Sequence, residues 1–213
     1  MKRIRKIQVI ALCFAILLGT FSVPMRAEAA FNKKEIKKKI TVTYKKLPYG
    51  ILAMYSNKNK TNVSLTATMQ FLDSDKQILS KDKQKNLCLK GKSKATFFFV
   101  APRDEYGHVV NYTNYKGSFS VAKTSYKPSN SSINISSKLD VVEGSFVAVN
   151  SGKKTLTNIH ATIVLYDENG FTLGCYTKYL NCFKPNDIDQ FKISYATESF
   201  QPNKAKVYID WAY

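Results

Sequence analysis

The chain has 213 residues, 33 Lys and Arg against 15 Asp and Glu, and a formal net charge of +18. An excess of this size speaks to solubility and to attraction for polyanions, and says nothing about fold. It does not point to nucleic acid: the excess is almost all Lys, a point charge, whereas base readers favour the Arg fork, and beyond residue 29 the only Arg is Arg103.

Residues 1–29 read as a signal peptide. Lys2, Arg3, Arg5 and Lys6 form a basic start, an apolar run follows from Val9 to Val23, and Ala27-Glu28-Ala29 supplies the small-x-small pattern that places cleavage near Ala29 and Ala30. The apolar run is shorter than the roughly 20 residues a membrane span needs, so no integral span is expected after cleavage. The remainder carries 28 basic and 14 acidic residues, a net of +14. Sixteen Lys against four acids fall between Ala30 and Ala95, so the charge is concentrated early.

Phe31–Lys39 gives the only helical pattern, a short basic one. Strands are expected at Ile40–Tyr44, Ile51–Tyr55, Thr66–Leu72, Lys94–Val100, Phe146–Val149, Ile159–Tyr166, Ile188–Ser194 and Ala205–Trp211, from alternation and from β-branched and aromatic content. Asp73-Ser74-Asp75 and Asp167-Glu168-Asn169-Gly170 supply turns, the second an Asn-Gly hairpin signal. Lys81, Lys83, Lys85, Lys90, Lys92 and Lys94 form a dense basic cluster, a candidate polyanion-binding surface.

Two stretches superpose at a shift of 94 residues without a gap. Ten of the fifty positions from Gly50 to Phe99 are identical, among them Gly50/Gly144, Lys60/Lys154, Asp73/Asp167, Cys88/Cys182 and Phe97/Phe191. The chain therefore reads as one domain made twice: copy one at 30–123, a Pro- and Ser-rich linker at 124–137, and copy two at 138–213. Copy one alone carries a long insertion between Val100 and Lys116. The fold class expected is all-β, two tandem small antiparallel β-sandwich domains of Ig-like type. Trp211 is expected to anchor the last strand.

Ile163-Val164-Leu165-Tyr166-Asp167-Glu168-Asn169-Gly170 followed by Leu173-Gly174, with closing strand Val207-Tyr208-Ile209, resembles the FxLYD domain family. Copy one departs from the pattern: Phe71-Leu72-Asp73 lacks the Tyr, and Lys76 stands where copy two has Gly170. The resemblance implies a small β-sandwich-like module of bacterial or archaeal envelope and secreted proteins, and it brings no catalytic residues.

Chemistry-bearing residues are sparse. His108 with Asp104 and Glu105 is the one place where an imidazole meets two carboxylates, the best case for a small hydrolase or metal-dependent site, although further ligands are wanting. His160, in an alternating strand, reads as a surface or edge residue. Three cysteines follow residue 29. Cys175 and Cys182 are the pair expected to bridge, across neighbouring strands, if any do. No phosphate loop, zinc-protease or nucleophile-elbow motif is present, and no cofactor or metal is expected. The reading is a secreted, non-catalytic binding protein, attached through copy one to an anionic cell-wall polymer or an envelope protein; a purely structural spacer is the remaining reading.

Overall fold

The computed structural model describes residues 31–195 and 201–213; the expected signal peptide and its cleavage site at Ala29 and Ala30 lie outside the described residues. A single helical turn and a half, α1 (Lys33–Lys38), opens the described chain, capped by the Asn32 side chain accepting from the Glu35 N–H at 3.2 Å. Twelve strands follow: β1 (Ile40–Leu47), β2 (Gly50–Asn57), β3 (Val63–Leu72), β4 (Ile78–Leu89), β5 (Lys94–Val100), β6 (Asn114–Lys123), β7 (Ile133–Leu139), β8 (Glu143–Asn150), β9 (Ile159–Tyr166), β10 (Thr172–Leu180), β11 (Ile188–Ser194) and β12 (Lys204–Ala212). Among the described residues no helix is long and apolar enough to cross a membrane.

The strands form four three-stranded antiparallel sheets, ordered β1-β2-β5, β4-β3-β6, β11-β8-β7 and β10-β9-β12. The first two are copy one and the last two repeat the same topology in copy two. Alternation decides what lies between each pair. In copy one Ile51, Ala53 and Tyr55 of β2 and Leu65, Ala67, Met69 and Phe71 of β3 are buried, and Tyr55 meets Phe97 and Phe119 edge-on at centroid distances of 5.6 and 5.4 Å. In copy two Phe146 and Ala148 of β8 face Ile159, Ile163 and Leu165 of β9. Each copy is a two-layer sandwich, as the alternation predicts. Residues 32–213 form one unit by their contacts. The segment 124–137, expected as a linker, holds a 3-10 turn at Asn130–Ser132 and the start of β7, which pairs with β8 from Ile133↔Asn150.

The duplication is real in three dimensions, but it carries a slip. Asn57 donates to the carbonyls of Thr61 (3.0 Å) and Lys90 (3.3 Å) and accepts from the N–H of Asn59; Asn150 donates to Lys154 and Phe183 (both 2.9 Å) and accepts from the N–H of Gly152. These two side chains lock the same loop at a shift of 93. The β2/β5 and β8/β11 registers agree, since Ile51 pairs with Phe99 where Gly144 pairs with Ile193. From β3 onward the shift is 94: Ala67 pairs with Gln84 and Ala161 with Lys178. Copy two has one extra residue before β9. A gapless alignment would turn every β8 side chain to the wrong face, because side chains alternate with period two. The identities at Gly50/Gly144, Lys60/Lys154 and Thr61/Thr155 are therefore not structural equivalences.

The turns repeat as well. Asp73 and Asp167 each accept, through Oδ1, the N–H four residues on, at 2.8 Å for Gln77 and 2.7 Å for Phe171. Position four of this turn lies at positive φ, 81° at Gly170 and 62° at Lys76.

Candidate functional site

The outer face of the sheet β4-β3-β6 is the candidate site. Lys81, Lys83 and Lys85 occupy alternate, exposed positions of β4, an edge strand, so all three side chains leave the same face about 7 Å apart. Register places Gln70, Thr68 and Thr66 of β3 beside them, and Lys116, Ser118 and Ser120 of β6 beyond. The face thus presents four ammonium groups, four hydroxyls and an amide, with no carboxylate among these positions. Asp82, the acid nearest in sequence, points to the opposite side and accepts from the Gln84 side chain at 2.9 Å. The other three lysines of the sequence cluster lie elsewhere: Lys90 and Lys92 in the β4–β5 turn, and Lys94 at the start of β5 in the other sheet. The structure keeps half of the expected set together and adds Lys116, which the sequence places in an insertion.

The same face in copy two is covered along its central strand, while Thr177 and Tyr179 of its edge strand stay exposed. At the positions of Lys81, Lys83 and Lys85 copy two has Cys175, Thr177 and Tyr179, and its central strand β9 is buried on both sides. His160, Thr162 and Val164 turn toward copy one, where Val164 packs with Leu47 and Leu52. Three lysines on the copy-one face oppose any equivalent stacking, since burying unpaired ammonium groups costs several kcal/mol each. A row of edge-strand lysines also discourages sheet-to-sheet association. Solvation of this face is built in.

The contact between the copies centres on Asp210. β12 bulges between Ile209 and Trp211, which pair with Ala161 and His160, so Asp210 is the extra residue and its side chain turns toward copy one. Its Oδ1 accepts from the Thr96 N–H (2.5 Å) and hydroxyl (2.7 Å); its Oδ2 takes the Thr162 hydroxyl (2.6 Å) and His160 Nδ1 (2.9 Å). The Asn86 side chain donates to the Asp210 carbonyl at 2.8 Å. His160, expected on the surface, is 2% exposed and stacks on Trp211 at 4.2 Å: β9 is a central strand, and its outward face meets the other copy. Trp211 is an anchor, but one that reaches Phe97 of copy one. The Asp210–His160 pair does not reach Cys175. Cys175 lies opposite Val164, four positions along β10 from the residue paired with His160, about 13 Å away. Burial, reinforced by the Asp210 charge, pushes the Cys175 thiol far up, away from the reactive thiolate.

The carboxylates around His108 belong to a turn. Asp104 accepts the N–H of Tyr106 (3.0 Å) and His108 (2.8 Å), and Gly107 sits at φ 85°, the same Asp-capped turn as at Asp73 and Asp167. His108 Nδ1 is 3.5 Å from Asp104 Oδ2 with its side chain 81% exposed. Among the described residues no group of three His, Cys, Asp or Glu side chains is placed to hold a metal ion.

The expected Cys175–Cys182 bridge is not formed; Cys88, Cys175 and Cys182 are all free. Cys175 is within β10 and Cys182 lies two residues past its end, so the two follow along one run of chain and do not face each other across neighbouring strands. The strand from Cys175 to Leu180 alone spans about 16 Å, well beyond the roughly 7 Å between Cα atoms that a disulfide allows.

The fold defines the class: an all-β protein of two stacked antiparallel sandwiches. The chain matches no family model and no curated protein. Among solved structures it is similar to red sea bream transglutaminase, at 11% identity and a TM-score of 0.28 over 85% of this chain, and to Bacteroides uniformis β-glucuronidase, at 9% identity and a TM-score of 0.20 over 76%. It spans 31% and 22% of the lengths of those chains.

Proposed function

We propose that the protein is an exported, non-catalytic binding protein of the cell envelope that attaches through the β4-β3-β6 face to an anionic wall polymer. The observation that carries the reading is the composition of that face: Lys81, Lys83, Lys85 and Lys116 stand exposed on one face of the sheet among hydroxyl side chains. Ammonium groups spaced regularly along a strand suit a repeating polyanion, which gains by releasing counterions at each contact. The basic amino terminus and Ala27-Glu28-Ala29 support export, and the FxLYD-like pattern of copy two supports an envelope module. Copy two supplies a second sandwich that backs the first through Asp210.

Sedimentation of the protein with isolated cell walls across a salt series tests this. Binding is strong at low salt and falls steeply as salt rises, because exposed charges are screened over about 10 Å at 0.1 M. Binding that ignores salt, or none at low salt, removes the electrostatic attachment.

A further inference from the structure

A concave site lies where the two copies meet, lined by the ends of β1 and β5 and the start of β10. It is a groove of about 380 Å³, within the range of small-molecule sites. Its walls are mostly apolar, with Leu47, Phe98 and Val100 from copy one and Leu173 and Cys175 from copy two, and Tyr49 and Arg103 complete the lining from copy one. Val100 is 50% exposed and Tyr49 43%, so apolar area there faces solvent in the free protein. Arg103 belongs to the Val100–Lys116 insertion of copy one, held by the bridge Arg103↔Val109. Its guanidinium lies 6.0 Å from the Tyr49 ring and donates one N–H to the Gly107 carbonyl at 2.6 Å. That bond uses one of five donors, and no carboxylate among the described residues is ion-paired with it.

We propose that this groove binds an alkyl carboxylate of fatty-acid type, its chain along Leu47, Phe98, Val100 and Leu173 and its carboxylate on Arg103. The planar fork of a guanidinium matches a carboxylate in two parallel hydrogen bonds, which an ammonium does not. Beyond residue 29 the Lys and Arg side chains are otherwise all lysines, and one arginine lining an apolar groove fits one anionic headgroup on an apolar tail. A hydrated polyanion gains nothing from such walls, which separates this site from the lysine face. The site exists only because the copies stack: the end of β5 supplies one wall and the start of β10 the other.

Calorimetric titration of the full-length protein with dodecanoate, and with dodecanol as the uncharged control, tests the assignment. Wild type is expected to bind one equivalent of dodecanoate at least tenfold more tightly than dodecanol. Arg103→Leu removes that preference while leaving dodecanol unchanged, and Val100→Asp, a charge placed on the exposed wall, abolishes both. The triple variant Lys81→Gln, Lys83→Gln, Lys85→Gln binds dodecanoate as wild type does. Absence of saturable binding, equal affinity for acid and alcohol, or loss of binding in the lysine variant with Arg103 intact would each overturn the proposal. The last outcome would place the amphiphile on the lysine face, and failure of the groove leaves the attachment to wall polymer untouched.

Discussion

The carboxylate of Asp210, on the last strand of copy two, accepts the backbone N–H of Thr96, on an edge strand of copy one, at 2.5 Å. An edge strand offers N–H groups that its own sheet cannot satisfy. Here one of them is taken by an acid from the other copy, and the same carboxylate holds the Thr96 and Thr162 hydroxyls and His160. A buried carboxylate with four donors is satisfied only while both copies are docked. The pair of sandwiches is expected to unfold as one body.

Asp210→Asn tests that directly. It keeps the shape, removes the charge-assisted bonds, and turns an amide N–H₂ toward groups that are themselves donors. The cost expected is about 3 kcal/mol in chemical denaturation, and the transition is expected to split or lose steepness as the copies uncouple. A loss below about 0.5 kcal/mol would show that the network does not join them.

Lys76 and Gly170 occupy the same turn position at positive φ. A side chain there costs about 1 kcal/mol relative to glycine. Lys76→Gly is therefore expected to stabilise the protein by up to about 1 kcal/mol, and Gly170→Ala to destabilise it by a similar amount. No atom lies within 4 Å of a Cβ built at Gly170, so that cost comes from the backbone alone. Thermal melts of the two variants should move in opposite directions.

The free cysteines make a chemical prediction. In denaturant and without reductant, Cys88, Cys175 and Cys182 should all alkylate. In the folded protein Cys182, which is exposed, should react first, while Cys88 and Cys175 are held back by burial, which pushes both thiols up. A mass two units short under denaturing, non-reducing conditions would reveal a bridge.

Alkaline stability follows from two tyrosines. Burial, aided by the Tyr208 hydroxyl, pushes Tyr166 up to about 12, and burial pushes Tyr55 further. Both phenols hold their protons more tightly in the folded chain than in the unfolded one, where tyrosine titrates near about 10. Their contribution is complete below about pH 10 and is lost as pH rises through about 12. Phenolate absorbance should therefore appear in two phases, the second coinciding with loss of tertiary structure; a single phase near pH 10 with the fold intact would refute this.

The four central strands β2, β3, β8 and β9 were legible in the sequence, and so were the edges β1, β5, β11 and β12, of which Lys94–Val100 and Ile188–Ser194 stand with the expected bounds. Ile159–Tyr166 stands as expected, and β2, β3 and β8 enclose the strands read from alternation. Central strands are buried on at least one face by their own sandwich, so their apolar period survives. The other four edges, β4, β6, β7 and β10, were not legible. In β4 the alternation is carried by Lys-Asp-Lys-Gln-Lys and in β7 by Ser and Asn, which read as loop. The lysine cluster was visible as composition, but only pairing through Gln70↔Lys81 and Gln70↔Lys116 shows which lysines share a face. Asp210, the residue that joins the copies, left a faint trace: a lone acid between Ile209 and Trp211, where the alternation breaks. His160 was misread because a surface facing another sandwich looks, in one sequence, like a surface facing water.

The attachment itself is tested most directly by comparing wild type with the Lys81→Gln, Lys83→Gln, Lys85→Gln variant in binding to isolated cell walls over a salt series. The variant is expected to bind more weakly at low salt, with a log–log salt slope shallower by roughly one for each lysine removed, the behaviour of phosphate-contacting lysines on a polyanion. Identical affinity and slope in the two proteins would contradict the assignment of the β4-β3-β6 face as the binding surface.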